Sequence, residues 1–279
     1  MKVILSRKGF DSAAGGYPSP ILPDGRLISL PIPSPHSYND SFHYSDLQLD
    51  RNTTYYDLMH DLNPRIVYEN RWHMLGTDTE CHLDPDIYQN IIKRNEAWKP
   101  LFGQIDAAQS HLCKQGVGVG DLFIFFGWFR KVVQRNGKLS FDRSSRDKHV
   151  IFGYLQIGEM IKVKPETKIP KWMDYHPHAL PSRMRTNNTI YSARDSLTWN
   201  SNLPGAGIFS FSKNLVLTKD GLPRSKWCLP EYFKNVRISY HSEDSWKSDY
   251  FQSVARGQEF VIDEDYQIEN WAKNLCMIK

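Results

Sequence analysis

Three polar stretches of this 279-residue chain carry side chains able to do chemistry. The first runs Gly76-Thr77-Asp78-Thr79-Glu80-Cys81-His82-Leu83-Asp84-Pro85-Asp86. Carboxylates beside an imidazole can hold a divalent ion or serve as general base and acid. His82 and Asp84 are two residues apart, so on extended backbone their side chains face one way. Asp84-Pro85 also has the pattern of a helix N-cap followed by proline at the first helical position. Asp84 keeps both readings, whereas His82 has only the chemical one. The second stretch is His176-Pro177-His178. It is either an exposed loop or two imidazoles set on one side of an extended segment for metal ligation or proton transfer. The third is Ser6-Arg7-Lys8, followed by Asp11 and Gly15-Gly16. Backbone N–H groups in glycine turns beside two cations can hold an anion, and Arg7 has the better fork for phosphate. The chain has no GxGxxG, Walker loop or GxSxG. Sequence alone assigns no metal ligands and names no cofactor.

These stretches must be positioned by ordered neighbours. The most apolar run is Leu122 to Phe129, after the turn Gly116-Val117-Gly118-Val119-Gly120-Asp121. A second run, His149 to Ile157, follows a turn at Asn136-Gly137. Both are apolar at odd and even positions, which predicts strands covered on both faces. Asn-Gly between strand-like segments predicts a hairpin. Residues 103–115 read as a helix, with Gln104, Ala108, His111 and Gln115 on one face. Further predictions are a first strand at 2–5, a short strand at 27–30 and a helix at 54–61 ended by Pro64. A helix from Pro85 to about Arg94, short strands from Thr189 on, an edge strand at 236–240 and a final amphipathic helix complete the pattern.

Composition sets the bounds. Hydrophobic residues make up 40% and charged residues 24%, which suits a globular domain. The net charge of +4 permits a nucleic-acid partner without requiring one. No run approaches the roughly 20 apolar residues that span a bilayer, and the N-terminus lacks a signal-peptide pattern. These features predict a cytoplasmic protein with no membrane partner. Cys81, Cys113, Cys228 and Cys276 are far apart, so neither a disulfide framework nor a zinc ribbon is expected, and Cys81 and Cys228 read as buried fillers.

Several longer motifs carry a family resemblance. They are Ser6-Arg7-Lys8-Gly9-Phe10-Asp11-Ser12, Pro18-Ser19-Pro20-Ile21-Leu22-Pro23-Asp24-Gly25 and Ser29-Leu30-Pro31-Ile32-Pro33. They continue with His82-Leu83-Asp84-Pro85-Asp86, Ala107-Ala108-Gln109 with His111-Leu112, Gly120-Asp121-Leu122-Phe123, Phe126-Gly127-Trp128-Phe129-Arg130 and His176-Pro177-His178. In this order the chain resembles the third of the nucleotide-modification-associated domain families of phages and bacteria. The resemblance implies work on nucleobases or nucleotides, but brings no list of catalytic residues. Locally, the order helix, Gly120-Asp121, apolar strand is similar to PUA-like barrels of the ASCH and EVE kind, which recognise RNA or modified bases. The alternative is that Gly120-Asp121 is a strand-initiating turn.

The expected fold is therefore α+β. It is a single compact domain over 1–279, with a curved mixed sheet or PUA-like barrel and peripheral helices. The N-terminal loop and the segments 78–86 and 176–178 are expected at one rim. The first functional expectation is a nucleotide- or base-modifying enzyme or accessory factor acting on a nucleotide or nucleic acid. In it Ser6, Arg7, Lys8, Gly15 and Gly16 hold phosphate, Asp11 a ribose hydroxyl, and His176 and His178 the substrate. His82, Asp84 and His111 do acid–base work. The alternative is a non-catalytic reader in which Trp128, Phe126 or Tyr154 stacks a base and Gln109 or Asp121 reads its edge. A third is a structural subunit among the protein partners of a modification or defence complex.

Overall fold

Leu122-Phe123-Ile124-Phe125-Phe126 has no polar face to turn to water, and in the computed structural model it lies at the middle of a sheet. The structure describes residues 1–184, 187–255 and 257–278. The strands that matter are β1 (Val3–Arg7), β2 (Glu80–His82), β3 (Leu101–Ile105), β4 (Leu122–Arg135), β5 (Lys138–Phe141), β6 (Lys148–Lys162), β7 (Asn188–Ala193) and β8 (Glu259–Ile262). The helices are α1 (Tyr55–Leu62), α2 (Asp106–Lys114) and α3 (Tyr266–Leu275). None is long and apolar enough to cross a membrane.

The main sheet is ordered β3-β7-β6-β4-β1-β8. It is mixed, because β1 runs parallel to β4 while the other neighbours along this path are antiparallel. Its curvature has a local cause. The β4–β6 register slips between Phe125 and Phe126, and the β6–β7 register slips between Ile157 and Glu159. Each slip inserts an unpaired residue on β6, which bends a strand and increases its twist. The sheet curls until its end strands approach, but their backbones do not pair. Side chains join them instead: Gln104 Nε2 on β3 donates to Glu259 Oε1 on β8 at 2.7 Å. The result is a strongly curved open sheet, not the closed PUA-like barrel offered as one alternative.

The two apolar runs become β4 and β6, and the Asn136-Gly137 turn joins β4 to β5 with both residues at positive φ, as a two-residue hairpin demands. Phe102, Phe123, Phe125, Phe126, Phe129 and Phe152 are fully buried in the principal core. A second core, holding Phe10, Tyr44, Tyr55 and Leu58, lies beneath the N-terminal loops and α1. Thr54 caps α1 in a reciprocal capping box with Asp57, and the chain leaves the helix at Asn63, just before Pro64.

Several predictions of local structure need correction. The helix expected from Gly103 starts only at Asp106, because residues 101–105 pair with β7 instead. Pairing partners about 90 residues away outweigh the helical pattern there, as tertiary context does for propensity in general. No helix follows Pro85; residues 83–100 are irregular and Asp84 caps nothing helical. Residues 27–30 form only an isolated bridge at Leu27, and the edge strand expected at 236–240 reduces to a bridge between Ile238 and Ile262. Cys81 is buried, but Cys228 is exposed.

Candidate functional site

β2 brings His82 out of the 76–86 loop, and β3 lies alongside it through the carbonyl and N–H of Leu101, which bond to Asp86. A cavity of about 450 Å³ opens where β1, β2 and β3 meet His178, Arg183, Ala255, Gly257 and Gln258. Arg7, Asp11, His82, Asp84 and His178 all line it, so these expected residues share one space. The N-terminal loop, the acidic loop and the His-Pro-His segment do face one rim.

The loops are locked by a buried network. Asp86, fully buried, accepts a forked pair of hydrogen bonds from Arg94, one from Tyr175 Oη at 2.6 Å and one from Trp98 Nε1 at 3.2 Å. Asp86 is two residues from Asp84, and Tyr175 precedes His176, so this network fixes the two loops against each other. Asp84 is 4% exposed at its side chain. Its Oδ1 accepts the Gly103 N–H at 2.7 Å and faces His176 Nε2 at 3.4 Å. Burial pushes the Asp84 pKa up, but the His176 side chain close behind it, with His178 and His82 around it, more than offsets this, and the carboxyl sits well below its usual range. His178 is buried, and burial is the main reason its pKa is pushed down to about 3, with Asp84 opposing. His82 Nδ1 lies 3.6 Å from Asp40 Oδ2. Arg183 grips Asp40 with both arms of its guanidinium. The ligand-capable atoms of His82, Asp84 and His178 all lie within 4.8 Å of one another.

Gly103 is what lets this cluster form. A Cβ there would sit 2.2 Å from His178 Cδ2. The glycine therefore gives the imidazole room to lie on β3 while its own N–H anchors Asp84.

Other expected site residues are placed elsewhere, for identifiable reasons. Lys8 lines the cavity, but its Nζ is 2.8 Å from Glu259 Oε1 and 4.3 Å from the centre of the Phe102 ring, in a buried ion pair. Ser6 is buried within β1. Gly15 and Gly16 do not form an anion cradle: their N–H groups bond to the Val67 and Asp11 carbonyls. Gly15 is packed against Phe10, where a Cβ would come within 2.0 Å of the ring. Asp11 Oδ1 accepts the N–H groups of Ala13 and Ala14, which ties the same turn. His111 is on α2, where Nε2 meets Ser239 Oγ at 3.0 Å and the ring packs on Tyr240, away from the cavity. Gln109 is buried and bonded to Tyr191 Oη. Asp121 closes its turn by accepting the Lys2 and Gly118 N–H groups, the strand-initiating reading. Phe126 and Tyr154 are core residues. His176 is fully buried behind Asp84 rather than in contact with the open space.

A second, larger space of about 710 Å³ adjoins the first, and Arg7, Asp11 and Ala255 line both. It is basic, with Arg130, Arg143, Arg146 and Arg224 around Trp128. The Arg224 guanidinium sits 3.9 Å from the centre of the Trp128 ring. Arg7 spends part of its fork on the Val254 and Ala255 carbonyls, at 2.6 and 2.7 Å. Burial lowers the Arg7 pKa; Asp11 opposes this and the nearby Arg224 adds to it.

Sequence reasoning missed Asp40, Gln104, Arg183, Asn188 and Glu259. Each acts through a partner distant in the chain or on another segment, such as Arg183 with Asp40, 143 residues apart. Only Arg183 carried a local signal, being a cation in an otherwise Pro- and His-punctuated loop.

No curated protein matches this chain, and no solved structure does. The family described as nucleotide modification associated domain 3 matches residues 2–263. That match spans most of the chain and includes both spaces, so the protein belongs to the nucleotide modification associated domain 3 family, whose name places it in nucleotide modification.

Proposed function

We propose that the chain is an enzyme that modifies a nucleobase or nucleotide seated in the cavity formed by Arg7, His82, Asp84 and His178. The observation that carries this is the convergence, from separate loops, of a buried carboxylate and two imidazoles with an arginine at the boundary of a basic groove. Phosphate is held at the Arg7 end, where positive charge crowds against Arg224. Asp11 lines the same end and receives a sugar hydroxyl. His82 and Asp84 face the reacting atom, inside a space shielded enough to strengthen electrostatic interactions. Lys8 and Glu259 support the wall rather than touch substrate.

The test is nucleoside mass spectrometry on DNA and nucleotide pools from cells producing the full chain or its His82→Ala variant. A nucleoside present with the wild type and missing with the variant is the expected result. Identical profiles would count against an enzymatic role.

A second reading is favoured by one feature, the Trp128–Arg224 stack among arginines. It is a non-catalytic polynucleotide binder that stacks a base on Trp128 and tracks the backbone with the groove arginines. Oligonucleotide binding with a salt slope but no modified nucleoside in any profile favours it.

A further inference from the structure

We infer that His82, Asp84 and His178 bind one divalent first-row transition-metal ion. The ion shares the cavity of the functional reading, but its binding rests on these ligands alone. Their ligand atoms lie within 4.8 Å of one another. The groups packed behind them make them a site.

Asn188 Nδ2 donates to the carbonyls of His178 and Arg183, at 2.7 and 2.9 Å, which leaves Oδ1 as the acceptor of that amide. His178 Nδ1, 2.9 Å from Asn188 Oδ1, must then carry the proton, and Nε2 keeps its lone pair. His82 turns Nδ1 toward the Asp40 carboxylate at 3.6 Å, an ion-pair distance, and Arg183 holds that carboxylate in place; a proton on Nδ1 is favoured there, which leaves Nε2 of His82 to face a ligand. A carboxylate or carbonyl oxygen behind each imidazole is the arrangement that orients metal-binding histidines. At Asp84 the support also comes from behind. His176 Nδ1 accepts the His178 N–H at 3.3 Å, so the His176 proton is on Nε2, 3.4 Å from Asp84 Oδ1. That nitrogen is buried and has no hydrogen bond among the described residues. Gly103 N–H takes the same carboxylate oxygen, which leaves Oδ2 for a ligand.

Three lone-pair donors thus face one another, and the described residues place no N–H or O–H between them. Acceptors turned toward one another in a confined pocket repel, and a cation is the partner that balances all three at once. Lys8, the nearest buried ammonium lining the cavity, is bound to Glu259. Two imidazoles and one carboxylate suit iron(II), cobalt(II) or zinc and disfavour magnesium and calcium, which prefer oxygen. An ion about 2.1 Å from each ligand draws them to about 3–3.5 Å apart, which modest side-chain rotation supplies. The remaining coordination positions open into the cavity, where water or substrate can reach them.

The test is titration of the chelator-treated full chain with cobalt(II), read by calorimetry and by visible absorption, with no nucleotide present. One equivalent should bind. Asp84→Asn, which keeps the side-chain shape, and His82→Gln should each weaken binding at least 100-fold. Asn188→Ala, which removes the acceptor behind His178 without touching the ion, should weaken it about 10- to 100-fold. No binding by the wild type overturns the inference, as does equal affinity in Asp84→Asn and His82→Gln. The wild-type titration decides the matter even where a variant fails to fold. Failure here leaves the nucleotide reading standing, and cobalt binding by a protein indifferent to nucleotides overturns that reading alone.

Discussion

The two spaces beside Arg7 are built on opposite principles. Around the smaller one the side chains are held by buried partners: Asp40 with Arg183, His178 with Asn188, Asp84 with Gly103, Lys8 with Glu259. In the larger one the arginines are partly or fully exposed, and Arg224 rests on the Trp128 ring. Buried, interlocked groups hold fixed positions, which chemistry needs. Solvated cations attract phosphate over a distance but fix little, and salt screens them. On the proposed function, the first region acts on a base and the second brings a phosphate chain to it.

The largest effect should come from unlocking the rigid region. Asp86→Ala leaves Arg94 buried without its partner and frees the Tyr175–His176 segment from the 84–86 loop. Breaking a buried pair from one side costs about 3–5 kcal/mol. Urea unfolding should show that loss, and a change below about 1 kcal/mol would mean that the network does not hold the loops together.

Gly103→Ala should be smaller in stability but decisive at the site. The added methyl meets His178 Cδ2, and overpacking of this kind costs about 1–3 kcal/mol. The imidazole must leave β3, so nucleotide binding should fall further than the stability loss explains. Retained nucleotide binding would show that His178 need not lie where it does.

Arg143→Glu with Arg146→Glu should leave the fold intact. Single-stranded DNA should bind more weakly, and the slope of log affinity against log salt should shrink by about 0.7 for each phosphate that the groove no longer neutralises. Mononucleotide affinity should be unchanged. If mononucleotide binding falls equally, the two spaces are one site and the contrast between them fails.

Part of this architecture is legible in the sequence. β4, β6 and the Asn136-Gly137 hairpin follow from local pattern, because a run apolar on both faces has few alternatives. His82, Asp84 and His178 are legible by residue type and by a spacing of two. The roles of their neighbours are not. Asp84 looks like a helix cap because Asp-Pro has that local chemistry, yet its oxygen is claimed by Gly103, 19 residues on. Gly103 and Gln104 fit the start of a helical pattern, and β7 overrides it. Ser6, Lys8, Gly15, Gly16, Gln109 and Asp121 look exposed and available, but each is buried, or spent in a turn, by interactions that composition and spacing do not record. His111 shares a helix face with Ala108 as expected, but that helix turns it to Ser239 and Tyr240.

The most direct test is to find where a single nucleotide sits. Ultraviolet cross-linking of 5-iodo-2′-deoxyuridine monophosphate to the full chain, followed by peptide mass spectrometry, reads this out. If the smaller cavity is the nucleotide site, cross-links should include the segments that line it and not the groove, 82–84, 103–105 or 177–183, and unlabelled mononucleotide should compete. Cross-links confined to the Trp128–Arg224 groove, or none that unlabelled mononucleotide displaces, would contradict that placement.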